Sequence, residues 1–363
     1  MGTSTLTTTN ERLLVLVGSY AEADGSGIYS YEFDEQDGTL KLLDQVSGYK
    51  NPTFLRLNAE QRRLYALAEI TTAEGSKASD AALLTIDPVT GTLSEASRSL
   101  AATGPTCHIQ LSPDEKFLTL TSYHNGTVSL VRVGEDGGIG AILDEQQHVG
   151  RGADPERQDK PHPHSSFYSP DGRYLFVSDL GLDRIIAYKI ENDKLVRHGE
   201  TALHPGAGPR HLTFHPNGRF AYVINEVDSS VTAFGYDAEA GALHAFQTLS
   251  TLPEGFEGEN TTAEIAISAD GRFLYGSNRG HDSIVVYAVD GESGKLSVVE
   301  HASVEGKHPR HFSIVPGGRF LIAANRDTNN LAVFKIDQET GKLSYTGHSA
   351  AVSKPVCVWS ARF

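Results

Sequence analysis

Residues 208–226 read GPRHLTFHPNGRFAYVINE. After Arg210 and His211 the chain alternates apolar and polar, turns on Pro-Asn-Gly, and runs apolar again to Glu226. Alternation of period two, a turn residue cluster and a second apolar run read as a β-hairpin. The same phrase recurs as NPTFLRLNAEQRRLYALAE (51–69), PTCHIQLSPDEKFLTLTSY (105–123), HPHSSFYSPDGRYLFVSDL (162–180), NTTAEIAISADGRFLYGSNR (260–279) and HPRHFSIVPGGRFLIAANR (308–326). A seventh beginning, KPVCVWSARF, forms residues 354–363.

Each complete hairpin is followed by a third apolar run, such as SVTAFGY (230–236) or SIVVYAV (283–289). A turn and a Leu or Ile come next, at positions 40, 93, 139, 195, 243, 296 and 343. A spacing of about 50 residues with four short strands per unit is the pattern of a β-propeller. The expected fold is all-β, a seven-bladed propeller of four-stranded blades. The start of the chain lacks a first strand and its end is a first strand alone, so the two should share one blade. Ring closure should remove the open sheet edges. The reading is a single domain over 1–363, with a disordered polar tail at 1–11 and little helix.

The chain has 363 residues and a formal net charge of −15. That balance argues against nucleic acid or an anionic membrane as partner. A small anionic ligand remains compatible, because a local Arg cluster can dominate a site in an acidic protein. No stretch of about 18 apolar residues is present, so no transmembrane helix is expected. The short apolar run Leu13–Val17 has no basic segment before it and reads as a strand, not a signal peptide. Two cysteines, Cys107 and Cys357, make no disulfide framework and suit a reducing, cytoplasmic setting. A closed ring needs no partner to fold, so a monomer is expected.

Setting the repeats in register puts Thr53, Cys107, His164, Arg210, Ala263, Arg310 and Val356 at one position of the innermost strand. The next position holds Phe54, His108, Ser165, His211, Glu264, His311 and Cys357. The second strand ends on Glu69, Tyr123, Leu180, Glu226, Arg279 and Arg326. All three sets belong at one mouth of the central channel. Singly, any of these Arg or His residues could be a filler between blades. Different ionisable groups in different blades of a symmetric scaffold together point to a site. Arg173, Arg219, Arg272 and Arg319 recur at the hairpin turn and read as turn-packing residues.

These blocks, with VGSY (17–20), GIYSYEFD (27–34) and SNRGHDSIVVY (277–287), carry a resemblance. Over residues about 12–363 the chain resembles the seven-bladed lactonase family. That family includes bacterial propeller-type 6-phosphogluconolactonases and fungal carboxy-cis,cis-muconate cyclising enzymes. The resemblance implies a catalytic set of one His, two Arg and one Glu, which falls on His164, Arg210, Glu226 and Arg279. His162 is the alternative histidine, because the local register could slip. His108, His162, His211, Arg310, His311 and Arg326 are the candidate substrate-binding residues.

Lactone hydrolysis needs a base to activate water and positive charge where the carbonyl oxygen becomes an oxyanion. Glu226 or His164 can be the base, and Arg210 and Arg279 can hold an anion or an oxyanion. Dense positive charge would keep His164 neutral. Family resemblance favours 6-phosphogluconolactone as substrate; a lactonising cycloisomerase and a non-catalytic ligand-binding propeller are the alternatives. No cofactor and no metal are expected, since no His/Asp/Glu set has ligand spacing and no Gly-rich phosphate loop is present. The polar stretches 73–81 and 149–160 flank mouth positions and read more readily as solvated loops than as lids.

Overall fold

The computed structural model describes residues 11–363. The expected frayed tail lies outside the described residues except for Glu11. Seven four-stranded antiparallel sheets are present. Blade 1 runs Leu13–Val46, blade 2 Leu55–Ala102, blade 3 His108–Gln147 and blade 4 Pro163–Ala202. Blade 5 runs Pro209–Ser250, blade 6 Thr261–Ser303 and blade 7 Pro309–Ala351. The C-terminal strand Pro355–Arg362 pairs with Leu13–Ser19 and becomes the innermost strand of blade 1. Among the described residues the only helix is a single 3-10 turn, Leu180–Leu182.

The core is a set of layers between blades, because each twisted sheet is apolar on both faces. Phe273, Tyr275, Ile284 and Val286 of blade 6 pack against Phe312, Leu321, Ala323 and Phe334 of blade 7. Equivalent clusters join blades 4 and 5, and 5 and 6. Across the seam, Val15, Val17, Tyr29 and Tyr31 pack against Ile322, Leu331 and Val333. Closure thus rests on buried apolar surface as well as on one strand pairing.

Adjacent blades are also clasped by the turn residues. Arg219 and Arg272 lie over the rings of Phe220 and Phe273, 5.0 and 5.3 Å from their centroids, and donate to the carbonyls of Glu292 and Gln338 in the next blade. Tyr222 and Tyr275 hydroxyls donate to the Gly294 and Gly341 carbonyls, each at 2.9 Å. Gly294 itself has φ +70 and packs on Phe220, where a Cβ would come within 2.6 Å of the ring. The recurring turn glycine therefore serves both a left-handed backbone and a close approach between blades.

Two expectations need correction. Residues 73–81 are not a loop: Lys77–Ile86 is one strand that pairs with Arg63–Thr71, closed by a short turn at Thr72–Ser76. Ring closure also leaves the outermost strand of every blade with an open edge. In all seven blades that strand is bulged against its neighbour, for example at Ala233/Phe234 and Val286/Tyr287. Bulges at an edge twist it away from further pairing.

Candidate active site

Four of the innermost strands begin with Pro and then a β-bulge; Pro355–Arg362 skips the apolar Val356, and the other three skip an ionisable residue. Pro163 pairs with Asp179 and Ser165 with Ser178, which leaves His164 without an opposite residue. Arg210 is skipped in the same way between Pro209 and His211, and Arg310 between Pro309 and His311. A proline at a strand start gives up no ladder bond. The extra residue re-aims its side chain away from the regular alternation. The bulge is the local reason that consecutive residues form two levels in the channel.

The upper level is a cavity of about 310 Å³. His164, Glu226, Arg157 and Arg310 line it, with Tyr20, Asn51, Glu69, Cys107 and Tyr123 completing the wall. Glu226 Oε2 accepts from Arg210 Nε and from an Arg279 terminal nitrogen, both at 2.9 Å, and Oε1 accepts from Arg157. Arg210 and Arg279 are 2% and 8% exposed and stand behind Glu226, not on the cavity wall. Arg210 also donates to the Ala263 carbonyl, and Arg279 to that of Thr262. Burial works to raise the Glu226 carboxyl, but Arg279, Arg210 and Arg157 outweigh it and hold it far below the usual carboxylate range. Burial, with Arg279 and Arg310 nearby, lowers Arg210 to about 9, so it stays charged at neutral pH.

His164 is buried, and burial followed by Arg210, His211, Arg310 and Arg279 pushes its imidazole well below the ordinary histidine range. It is neutral at pH 7. Its Nδ1 is buried without a partner, which leaves Nε2 as the nitrogen the cavity can reach. The Cys107 thiol donates to the His164 carbonyl at 3.2 Å, and burial raises that thiol above its ordinary range. Arg310 lies 5.9 Å from the Tyr20 ring centroid and makes no ion pair among the described residues.

The lower level closes the channel. Phe54 packs against His108, His311 and His211 with ring centroids 4.3, 5.6 and 5.8 Å apart. Glu264 is held by His211 Nδ1 at 3.1 Å and by His311 Nε2 at 2.9 Å. The Val358 N–H reaches His311 Nδ1 at 3.4 Å, which fixes the proton of His311 on Nε2. Burial pushes His211 down to about 4 and His108 well below the ordinary range.

Of the residues expected at the site, the structure brings His164, Glu226 and Arg310 to the cavity wall, with Arg210 and Arg279 directly behind. His108, His211 and His311 are not on the wall, because strand alternation turns them into the plug beneath it. His162 is also withdrawn: Nδ1 donates to the Tyr123 carbonyl at 2.7 Å and its ring stacks on Tyr123 at 4.2 Å. Arg326 is turned to Asp327, at 2.6 Å, in a neighbouring depression. Sequence reasoning missed Arg157, Tyr20 and Asn51. Arg157 comes from the 149–160 segment, which follows no repeat position, and only the segment's closeness to the mouth drew notice. Among the described residues no three His, Cys, Asp or Glu side chains gather as a metal site would require.

The family described as Lactonase, 7-bladed beta-propeller matches residues 14–360. The chain belongs to this family. Membership, together with the lactonase relatives named next, makes it a lactone hydrolase by class. It is 36% identical over 300 residues to a 6-phosphogluconolactonase of Bacillus subtilis, covering 83% of this chain and 84% of that protein. A periplasmic gluconolactonase of Pseudomonas aeruginosa superposes with TM-score 0.89 at 34% identity, covering 96% and 99% of the two chains. A protein from Lactobacillus plantarum superposes equally, TM-score 0.89, at 30% identity over 96% and 99%.

Proposed function

We propose that this lactonase hydrolyses 6-phosphogluconolactone to 6-phosphogluconate, as a cytoplasmic monomer acting without nucleic acid, membrane or metal. One observation carries the reading: a neutral histidine with a free nitrogen shares a small cavity with an arginine that has no counter-ion. Neutral base and uncompensated cation are the two parts that hydrolysis of an anionic lactone needs. The name of the Bacillus relative supports the phosphorylated substrate. The free state of Cys107 and Cys357 supports a reducing compartment.

In this mechanism His164 Nε2 takes a proton from water as the water oxygen bonds to the lactone carbonyl carbon. The oxyanion that forms is met by the Arg310 guanidinium. When the bond to the ring oxygen breaks, the imidazolium returns its proton to the leaving alkoxide, and the product is an open hydroxy acid. Glu226 is a poor base, since three arginines hold its charge. It serves instead to place Arg210 and Arg279, whose charge adds to burial in keeping His164 unprotonated.

The structural likeness to a gluconolactonase favours an unphosphorylated lactone as the second reading. Acid release from 6-phosphogluconolactone and from gluconolactone, compared at neutral pH, tests both. Faster turnover of the phosphorylated lactone, lost with Arg310→Ala, is the expected result. Preference for gluconolactone would sink the phosphate reading.

A further inference from the structure

Arg157 is the one cavity-wall cation that no repeat position supplies. Its segment is built to hold a place. Gln158, fully buried, donates Nε2 to the Leu180 carbonyl at 2.8 Å and to Asp183 Oδ1 at 2.6 Å. Gln158 Oε1 accepts the Asp154 N–H at 2.8 Å, and its backbone carbonyl accepts the Gly152 N–H at 3.0 Å. Asp183 also accepts the Gly206 and Gly208 N–H groups, each at 2.8 Å. Gly208 stands two residues before Arg210. A single carboxylate therefore fixes both the base of Arg157 and the entry to the strand that bears Arg210.

The guanidinium end is less confined. The Arg157 side chain is 36% exposed, against 3% for Arg210 and 6% for Arg279. Glu226 already satisfies Oε2 with the two buried arginines, and Arg157 occupies only Oε1. Three guanidinium groups hold Glu226, a fourth, Arg310, is unpaired on the same cavity wall, and Glu69, also on the wall, is engaged by Lys77 at 3.4 Å. Such a surplus inside a protein of net charge −15 suits a ligand carrying more than one negative charge.

We propose that Arg157 is a specificity-determining residue: it binds a phosphate monoester remote from the reacting carbonyl, exchanging the Glu226 carboxylate for phosphate oxygens, while Arg310 stays with the carbonyl. The inference rests on the substrate reading given above. The exchange keeps the guanidinium paired throughout, now in the forked geometry that phosphate favours. It leaves Arg210 and Arg279 on Glu226, so the charge around His164 is retained.

The test compares wild type, Arg157→Met and Arg157→Lys on both lactones, and measures 6-phosphogluconate and gluconate binding by calorimetry. Arg157→Met should lose about 10- to 100-fold more kcat/KM on the phosphorylated lactone than on gluconolactone, mostly through KM. Arg157→Lys should recover part of that difference. Equal losses on the two lactones, with equal losses of affinity for the two acids, would overturn the proposal and leave Arg157 a partner of Glu226 only. If wild type hydrolysed neither lactone yet preferred 6-phosphogluconate to gluconate, and Arg157→Met removed the preference, the clamp would stand and the hydrolysis reading would fall. A wild type with no preference between the two acids would overturn the clamp.

Discussion

At the scale of single residues, the His164 imidazole is held down by burial and by the cations around it. Its protonation competes with Arg210, Arg310 and Arg279, so removing one cation must raise its pKa. Imidazole nitrogen NMR shifts in Arg310→Ala should show His164 titrating at higher pH than in wild type; an unmoved or lowered midpoint would contradict the assignment. A bound phosphate acts in the same direction. The acid limb of kcat, which reports the complex, should therefore lie at higher pH than that of kcat/KM. His164, Arg210 and Glu226 were legible because the repeat defines a position and these residues break its monotony. Arg157 was not, because nothing in a loop sequence states which wall it will reach. The repeat register brought His108, His211 and His311 to the channel mouth, but strand alternation turns them into the plug beneath the cavity, and His162 turns to the Tyr123 carbonyl; neither direction is written in the sequence.

At the scale of elements, the hairpin phrase gave strand and turn, while register stayed hidden. A bulge is one residue more than the opposite strand has, and a sequence does not display its opposite strand. Pro163, Pro209, Pro309 and Pro355, each before a bulged residue, are the visible trace of it. The 73–81 stretch misled for a related reason: Gly75 and the small polar residues look like a loop, yet they cap an extended hairpin. The turn glycines permit a direct test. Gly294→Ala forces an L-residue to φ +70 and drives a Cβ into Phe220. Denaturant unfolding should show a loss of about 1–2 kcal/mol from the backbone alone, and more from the clash. A loss no greater than that of a surface substitution would show that the clasp between blades 5 and 6 carries little stability.

At the scale of the whole molecule, two consequences follow from closure and from the buried ionisable plug. Ending the chain before Pro355 removes the innermost strand of blade 1 and its pairing with Leu13–Ser19. Such a chain should lose cooperative unfolding and aggregate, because the Leu13–Ser19 edge is then bare. A monomeric truncated protein with an unchanged denaturation midpoint would refute the shared blade as the closing element. The plug and His164 above it make the fold acid-labile. His108, His164 and His211 have lowered pKa values when folded and an ordinary value of about 6.5 when unfolded. The unfolded chain thus binds protons that the folded chain refuses, and stability falls as pH drops from 6.5 toward about 4, the value for His211. Glu226 and Glu264, lowered in the fold, add losses of the same sign at lower pH. The urea midpoint should decline across that range, and His211→Gln should flatten the decline.

The most direct test of the account is steady-state hydrolysis of 6-phosphogluconolactone at pH 7 by wild type and His164→Gln, both verified as folded by circular dichroism. The account predicts wild-type turnover well above the spontaneous rate and a loss of about 10²- to 10⁴-fold in kcat for the variant. Turnover that survives the substitution, or wild-type turnover no faster than the uncatalysed reaction, would contradict it.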